Sequence, residues 1–510
     1  MDFACHKRCL SRQLVRRRSV RWKGRHQVGK GATLAIEVKQ EGREPIFLAL
    51  SRAIIAEIER GRLKPGDPLP GTRALSKSLL LNRNTVDAAY HELTMQGWLV
   101  TEPSRGTFVA HDLPDFGRER SLADTTATGH PNATKQYSRG LSLSDGLPDP
   151  RIAPTTALGR AFRRTLKSPV FLDGAYGDPR GNEALRTSLA HYLTNERGLT
   201  LHYDDVLIAR GSQMALYLAA AAVAEPGSKI AVESPGYPLA WAAIRAAGAS
   251  VVAVPVDDGG INVDRLEQLA AREPSLKAVY VTPHHQYPTT TTLGAARRLR
   301  LLQLARRYRL TIIEDDYDHE YRFDGHPVLP LAAHAERDAS VVYVGSLSKI
   351  LAPGIRIGYA VAPPGILKGM SDRREAIDRQ GDVFLELALS ELISDGTLRR
   401  HARKARRVYH ARRDYLYGLL KRHFSKCAEF VLPAGGLAIW LRLNPGFHAE
   451  TWARNAADLG LSVLPGAHFT LKPAEAPEAF RLGFATLSED EISEAIKLLV
   501  KANPGRSKRV

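Results

Sequence analysis

The chain has 510 residues and a net charge of +18, from 72 Lys and Arg against 54 Asp and Glu. That length exceeds a single hydrophobic core, and no apolar stretch reaches the roughly 18 residues of a membrane span. Three cysteines (Cys5, Cys9, Cys427) cannot make a disulfide framework, so the expected compartment is a reducing cytoplasm with no membrane partner.

Residues 1–44 read as a basic, disordered arm. Periodicity is poor, arginine is dense at Arg16, Arg17, Arg18 and Arg21, and ten Lys or Arg face one Asp within residues 1–30. No apolar run follows the charges, which excludes a secretory signal. Such an arm adds sequence-independent affinity for nucleic acid through counterion release.

From Pro45 the pattern sharpens. Pro45 suits the first turn of a helix whose apolar face is Phe47, Leu50, Ile54 and Ile58, until Gly61 stops it. After the rigid turn Leu63 to Pro70, a short helix is expected over Thr72 to Leu80. A second runs from Arg83 to Met95 with Val86, Ala89, Tyr90 and Leu93 inward. Trp98 to Glu102 and Thr107 to Ala110 read as two strands of a hairpin turning at Pro103 to Gly106. Residues 45–111 therefore predict a winged helix-turn-helix, mainly α with a β wing. Its second helix carries Arg83, Asn84 and Thr85 at the end that meets base edges in the major groove.

The run from Leu63-Lys64-Pro65-Gly66-Asp67-Pro68 through Asn82-Arg83-Asn84-Thr85 to Gly106-Thr107-Phe108-Val109 resembles the GntR-type DNA-binding domain. The resemblance implies a double-stranded DNA operator as partner, with Arg73, Arg83, Asn84 and Thr85 on DNA and the wing at Arg105 and Gly106 approaching the minor groove. Two features depart from the family. Gly71 stands where Ser is frequent, and Leu80-Leu81-Asn82 replaces the usual Gly-Val-Ser, which bears on one phosphate contact and on the shape of the turn.

Residues 112–140 mix Pro, Gly, Ser, Thr and Asp with few large apolar side chains and read as a flexible linker. Beyond it, residues 141–510 alternate apolar β runs with helical stretches, the pattern of a mainly parallel α/β sheet. Strands are expected at Asp205 to Ile208, Lys229 to Val232, Ser250 to Pro255, Ala278 to Thr282, Leu310 to Ile313 and Val341 to Val344. On such sheets ligands gather beyond the carboxyl ends of the strands, where the unusual residues of this chain lie.

After the first strand come Gly211, Ser212 and Gln213 and then an Ala-rich helix, whose free N–H groups suit a phosphate. After the second, a Pro-Gly-Tyr-Pro loop presents Tyr237, a ring able to stack on a flat heterocycle. After the fifth come Glu314, Asp315, Asp316, Tyr317 and Asp318, carboxylates that are costly unless a cation such as a protonated pyridine nitrogen answers one of them. These acids are not spaced like a metal loop and no His cluster supports one, so no metal site is expected. The sixth strand ends in Gly345, Ser346, Ser348 and Lys349, with Arg356 seven residues on. A desolvated lysine there can form a Schiff base, and hydroxyls with an arginine suit a phosphate dianion. Together they describe a pocket for pyridoxal 5′-phosphate.

This half resembles the fold-type I aminotransferases, including a smaller C-terminal α+β subdomain. The resemblance implies Lys349 as the Schiff-base lysine, Asp315 on the pyridine nitrogen, Tyr317 near the ring hydroxyl and Tyr237 on the ring, with Ser212, Gln213, Ser346, Ser348 and Arg356 around the phosphate. It also implies that Tyr176 reaches the phosphate in the partner subunit of a homodimer, and that Arg481 grips an effector carboxylate. Where aminotransferases carry Asn-Pro-Thr-Gly this chain reads His285-Gln286-Tyr287-Pro288-Thr289-Thr290, so the asparagine that tunes the ring hydroxyl is absent.

Nearly the whole chain after residue 44 resembles the MocR/GabR family of transcriptional regulators. That likeness implies a dimeric regulator sensing pyridoxal phosphate, or a small amino compound that forms an external aldimine in place of Lys349. The alternative is a working aminotransferase with a fused DNA-binding domain.

Overall fold

The computed structural model describes residues 20–28, 32–40, 45–111, 140–143, 146–169, 176–324, 328–335 and 339–506. The chain divides into two compact units, residues 1–133 and 134–510. The expected linker, 112–140, lies outside the described residues except for Gly140.

The first unit, the head, begins with strands β1 (Val20–Val28) and β2 (Ala32–Gln40), paired antiparallel. Helices α1 (Ile46–Glu59), α2 (Thr72–Leu79) and α3 (Arg83–Met95) follow, then the wing strands β3 (Leu99–Glu102) and β4 (Gly106–Val109). Leu50, Ile54, Leu75, Leu79, Val86 and Leu93 close one core, to which Ile36 and Val38 of β2 also belong. The turn between α2 and α3 closes with Leu80 in the left-handed region at φ 56°, and the Asn82 side chain caps α3 by accepting from the Asn84 N–H at 2.9 Å. Disorder across 1–44 is therefore corrected for 20–28 and 32–40; residues 1–19 lie outside the description. The physical reason is the alternation Leu34, Ile36, Val38, a strand period that places Ile36 and Val38 in the core.

The second unit, the body, opens with β5 (Leu141–Ser142). It is built on eight strands: β6 (Val206–Ala209), β7 (Lys229–Ser234), β8 (Ser250–Asp257), β9 (Gly260–Ile261), β10 (Leu276–Val281), β11 (Thr311–Asp316), β12 (Val341–Ser346) and β13 (Gly358–Val361). Their order is β6-β13-β12-β11-β10-β7-β8-β9. The run β8, β7, β10, β11, β12 is parallel, while β13 and β9 pair antiparallel to their neighbours. The six expected strands are present; β13 and β9 were not foreseen. Ala-rich helix Ser212–Val223 packs its uncharged surface on this sheet with Ile230, Val344 and Ala360.

A smaller antiparallel sheet follows, of β14 (Ala428–Phe430), β15 (Ala438–Leu443), β17 (Leu464–Pro465) and β18 (Ala479–Gly483), while β16 (Leu461–Ser462) pairs with β5. Helices Thr397–Phe424 and Glu489–Lys501 pack on it, the latter started by a capping box between Ser488 and Glu491. Among the described residues no helix is long and apolar enough to cross a membrane.

Candidate functional site

Beyond the carboxyl ends of the parallel strands, Ser212, Tyr237, Tyr280, Thr282, Tyr287, Asp315, Tyr317 and Lys349 line one cavity. Asp315 reaches it from β11 and is 3% exposed. Its Oδ2 accepts from the Tyr280 hydroxyl at 2.9 Å, and its Oδ1 has no hydrogen-bond partner. Burial pushes the carboxyl up to about 7; the Tyr280 bond opposes this, nearby Asp316 adds to it, and the Lys349 charge pulls the other way. Lys349 enters from a single helical turn, Leu347–Ile350, held in place by the Tyr321 hydroxyl on its carbonyl at 3.0 Å.

Backbone packs closely at one end of the site. Helix Ser212–Val223 starts after Gly211 at φ 79° with no side-chain cap, leaving its first N–H groups without a side chain to answer them. A Cβ on Gly211 would sit 2.8 Å from the Arg356 guanidinium, and one on Gly358 would overlap the Gly211 carbonyl carbon and the Ser212 amide. Arg356 is itself left-handed, at φ 52°, and donates to the Arg210 carbonyl at 2.9 Å. Helix N-terminus, arginine and two glycines thus converge as an anion cradle would require.

Several expected residues are engaged in ways the sequence did not show. The Ser348 hydroxyl donates to the Ile357 carbonyl at 3.3 Å and accepts from its N–H at 3.2 Å, so it ties the lysine turn to the segment before β13. Ser346 is buried at the end of β12. Gln213 donates to the Leu239 carbonyl at 2.6 Å, and Tyr317 donates to the His285 carbonyl at 3.1 Å. Tyr237 meets Tyr287 edge-on at 4.9 Å. Arg481 on β18 is fully buried; its guanidinium lies 4.2 Å from the Tyr287 ring centre and donates to the Pro288 carbonyl at 3.0 Å. Tyr176 lies apart from the cavity, exposed beneath the Arg379 guanidinium.

Tyr280, Thr282 and Tyr287 were not singled out from the sequence. Thr282 donates to Glu233 at 2.6 Å, and burial pushes Glu233 up to about 7. The signal for Tyr280 was its alternation with Val279 and Val281 on β10, hidden because both faces of that strand are buried.

The residues present fit pyridoxal phosphate on one observation above all: the buried Oδ1 without a hydrogen-bond partner on Asp315, a residue that lines the same cavity as Lys349. A protonated ring nitrogen would give that oxygen its missing donor.

On the head, Arg83 and Asn84 are exposed in the first turn of α3 with Thr85 half-buried beside them, and Arg73 is exposed on α2. Arg83 lies 3.5 Å from Asp87. At the wing tip Arg105 pairs with Glu102 and covers the Phe108 ring, next to Gly106 at φ 119°. The expected DNA-contacting residues thus share the recognition-helix start, α2 and the wing tip.

A family model described as aminotransferase class I and II matches residues 161–499, and one described as bacterial regulatory proteins, gntR family, matches residues 48–109. The chain is 30% identical over 458 residues to an uncharacterized HTH-type transcriptional regulator, YdeL, of Bacillus subtilis, covering 90% of this chain and 96% of that one. It is 30% identical over 475 residues to the probable rhizopine catabolism regulatory protein MocR of Rhizobium meliloti, covering 90% and 94%. Among solved structures it is similar to the α-aminoadipate aminotransferase LysN of Thermus thermophilus, complexed with N-(5'-phosphopyridoxyl)-L-leucine. That match has a TM-score of 0.66 and 29% identity and covers 73% of this chain and 94% of that one.

Proposed function

Because this chain belongs to the MocR-type transcriptional regulators, which join a gntR-family DNA-binding head to a pyridoxal-phosphate-dependent aminotransferase class I and II body, we propose that the body senses small amino compounds and sets the head's grip on its operator. When bound, pyridoxal phosphate supplies an aldehyde that condenses with amines, for which Lys349 and a free amino compound compete. In this reading Asp315, held by Tyr280, keeps a proton on the ring nitrogen through Oδ1, and Tyr237 covers the ring. The Ser212 and Gln213 amides, Ser346 and Arg356 receive the phosphate, while Ser348 holds the lysine turn in register. Arg481 meets the effector carboxylate, and Tyr317 fixes the His285 carbonyl beside it. Tyr176 completes the site of a second copy in a homodimer. With the cofactor bound, Lys349 and Arg481 would be the groups that answer an effector, and an effector that binds one state of the body better would shift the head's affinity for DNA with that population. The expected compartment remains the cytoplasm, where operator and cofactor meet.

The observation that carries this reading is the orphaned Asp315 oxygen in the lysine-lined cavity. Borohydride reduction of the purified chain followed by peptide mapping tests it. The expected result is a phosphopyridoxyl mass on the Lys349 peptide that vanishes in Lys349→Ala; no adduct, or one on another lysine, overturns the assignment. Footprinting the region upstream of its own gene, with and without cofactor, then tests the link to DNA.

A second reading, a working aminotransferase, is favoured by the retention of Lys349, Asp315 and Arg481 together. Repeated turnover with an amino acid and a keto acid would establish it; a single half-reaction that stops would leave sensing as the role.

A further inference from the structure

Asp315 and Asp316 are neighbours on β11, and neighbours on a strand face opposite ways. While Asp315 lines the cofactor cavity, Asp316 belongs to a second buried group that the proposed function leaves unused. It is 2% exposed beside His284, 3% exposed, and His319; one donor atom from each of the three lies within 4.8 Å of the others. The two imidazole rings are stacked with centroids 4.6 Å apart. One carboxylate oxygen, Oδ2, is engaged: it accepts from the Tyr343 hydroxyl at 2.7 Å, lies 2.7 Å from His319 Nδ1 and 3.7 Å from Arg197. The other, Oδ1, has no hydrogen-bond partner, and neither ring nitrogen of His284 has one. Buried polar atoms in native proteins are nearly always paired, so three orphans in one buried group require a reason.

We propose that His284, Asp316 and His319 bind a divalent transition-metal ion of the zinc type. Two imidazoles and a carboxylate are the donor set of Zn2+, Co2+ or Ni2+, whereas Mg2+ and Ca2+ take oxygen ligands. Burial pushes the His284 imidazole well below its ordinary range, which keeps it neutral with a lone pair to give. Tetrahedral donors about 2.1 Å from an ion stand about 3.4 Å apart, so a group whose donors lie within 4.8 Å of one another closes on the ion by shifts of up to about 1.4 Å, within reach of side-chain rotation. A solvent-reached cavity of about 400 Å3, lined by His284, His319, Glu320 and Arg322, gives an entry path and room for a water or anion as fourth ligand. Arg197 and Arg322 repel the ion; Asp316 and Glu320 offset them, and the arginines favour an anion in the fourth position. Spacing alone hides this site, because its two histidines stand far apart in the chain, His284 after β10 and His319 at the start of the short turn His319–Tyr321 after β11.

Titration of the full-length, cofactor-loaded chain with Co2+ tests the site. The expected result is the visible d–d absorption of a four-coordinate ion, saturating at about one ion per chain and displaced by Zn2+. The signal should be lost in His284→Gln and in His319→Gln while cofactor absorbance, the sign of an intact body, is retained. A wild-type chain with no saturable signal overturns the proposal, as does a signal that survives both substitutions. Zinc X-ray absorption on the wild-type chain decides without any variant. Two imidazole nitrogens at the ion support the site, and a shell without imidazole refutes it.

Discussion

The Asp315 carboxyl combines two demands that conflict until a ligand arrives. Burial raises it from the ordinary 3.8 to about 7, so between those values the unfolded chain has released a proton that the folded chain keeps. Stability from this residue therefore falls as pH rises through that window and stays reduced above it. Asp315→Asn preserves the acceptor for Tyr280 and removes the ionisation. Cofactor-free Asp315→Asn protein should be more stable than cofactor-free wild type at pH 8, on the order of 2 kcal/mol, and equal to it only below the window, at about pH 3. Thermal melts across pH check this, and a variant that melts below wild type at pH 8 refutes it. The same substitution should weaken cofactor binding at least tenfold, read by absorbance titration, because the ring nitrogen loses its counter-charge.

At the scale of elements, the cradle depends on bare backbone at two glycines. Gly358→Ala drives a methyl into the Gly211–Ser212 peptide, which must move to make room, an overpacking cost of about 1 to 3 kcal/mol. We expect cofactor affinity to fall tenfold or more with the far-ultraviolet spectrum unchanged; unchanged affinity would show that the helix start takes no part in binding. In the head, Asn82 caps α3 immediately before Arg83, Asn84 and Thr85. Asn82→Ala should cost about 1 kcal/mol of stability and weaken operator binding by frayed presentation of that first turn. A head that melts lower with operator affinity intact would remove Asn82 from that role. Much of this level was legible in advance. Helix Arg83–Met95 stands where its apolar spacing put it, and the glycine, tyrosine, acid and lysine motifs do lie at strand ends. Other features escaped for physical reasons. The Ser348 hydroxyl, expected near the phosphate, also meets the backbone of Ile357, nine residues on, a contact that spacing alone does not reveal. The β1–β2 hairpin was masked by its charge, although Leu34, Ile36 and Val38 alternate as a strand should.

At the scale of the whole molecule, the proposed dimer makes Tyr176 of one copy serve the cavity of another. Tyr176→Ala and Lys349→Ala chains should each fail to yield the borohydride adduct on Lys349. Co-refolded in equal amounts they should recover about a quarter of the wild-type adduct, since half the dimers are mixed and each mixed dimer holds one complete site. No recovery, in a preparation shown to contain mixed dimers, would place Tyr176 outside the site.

The head also has a practical edge. The gntR-family match begins at residue 48, yet Ile36 and Val38 lie in the same core as Leu50 and Ile54. Anyone transplanting this reader onto another protein at the match boundary would leave the hairpin behind and open apolar side chains to water. A graft that starts at residue 20 carries its own lid.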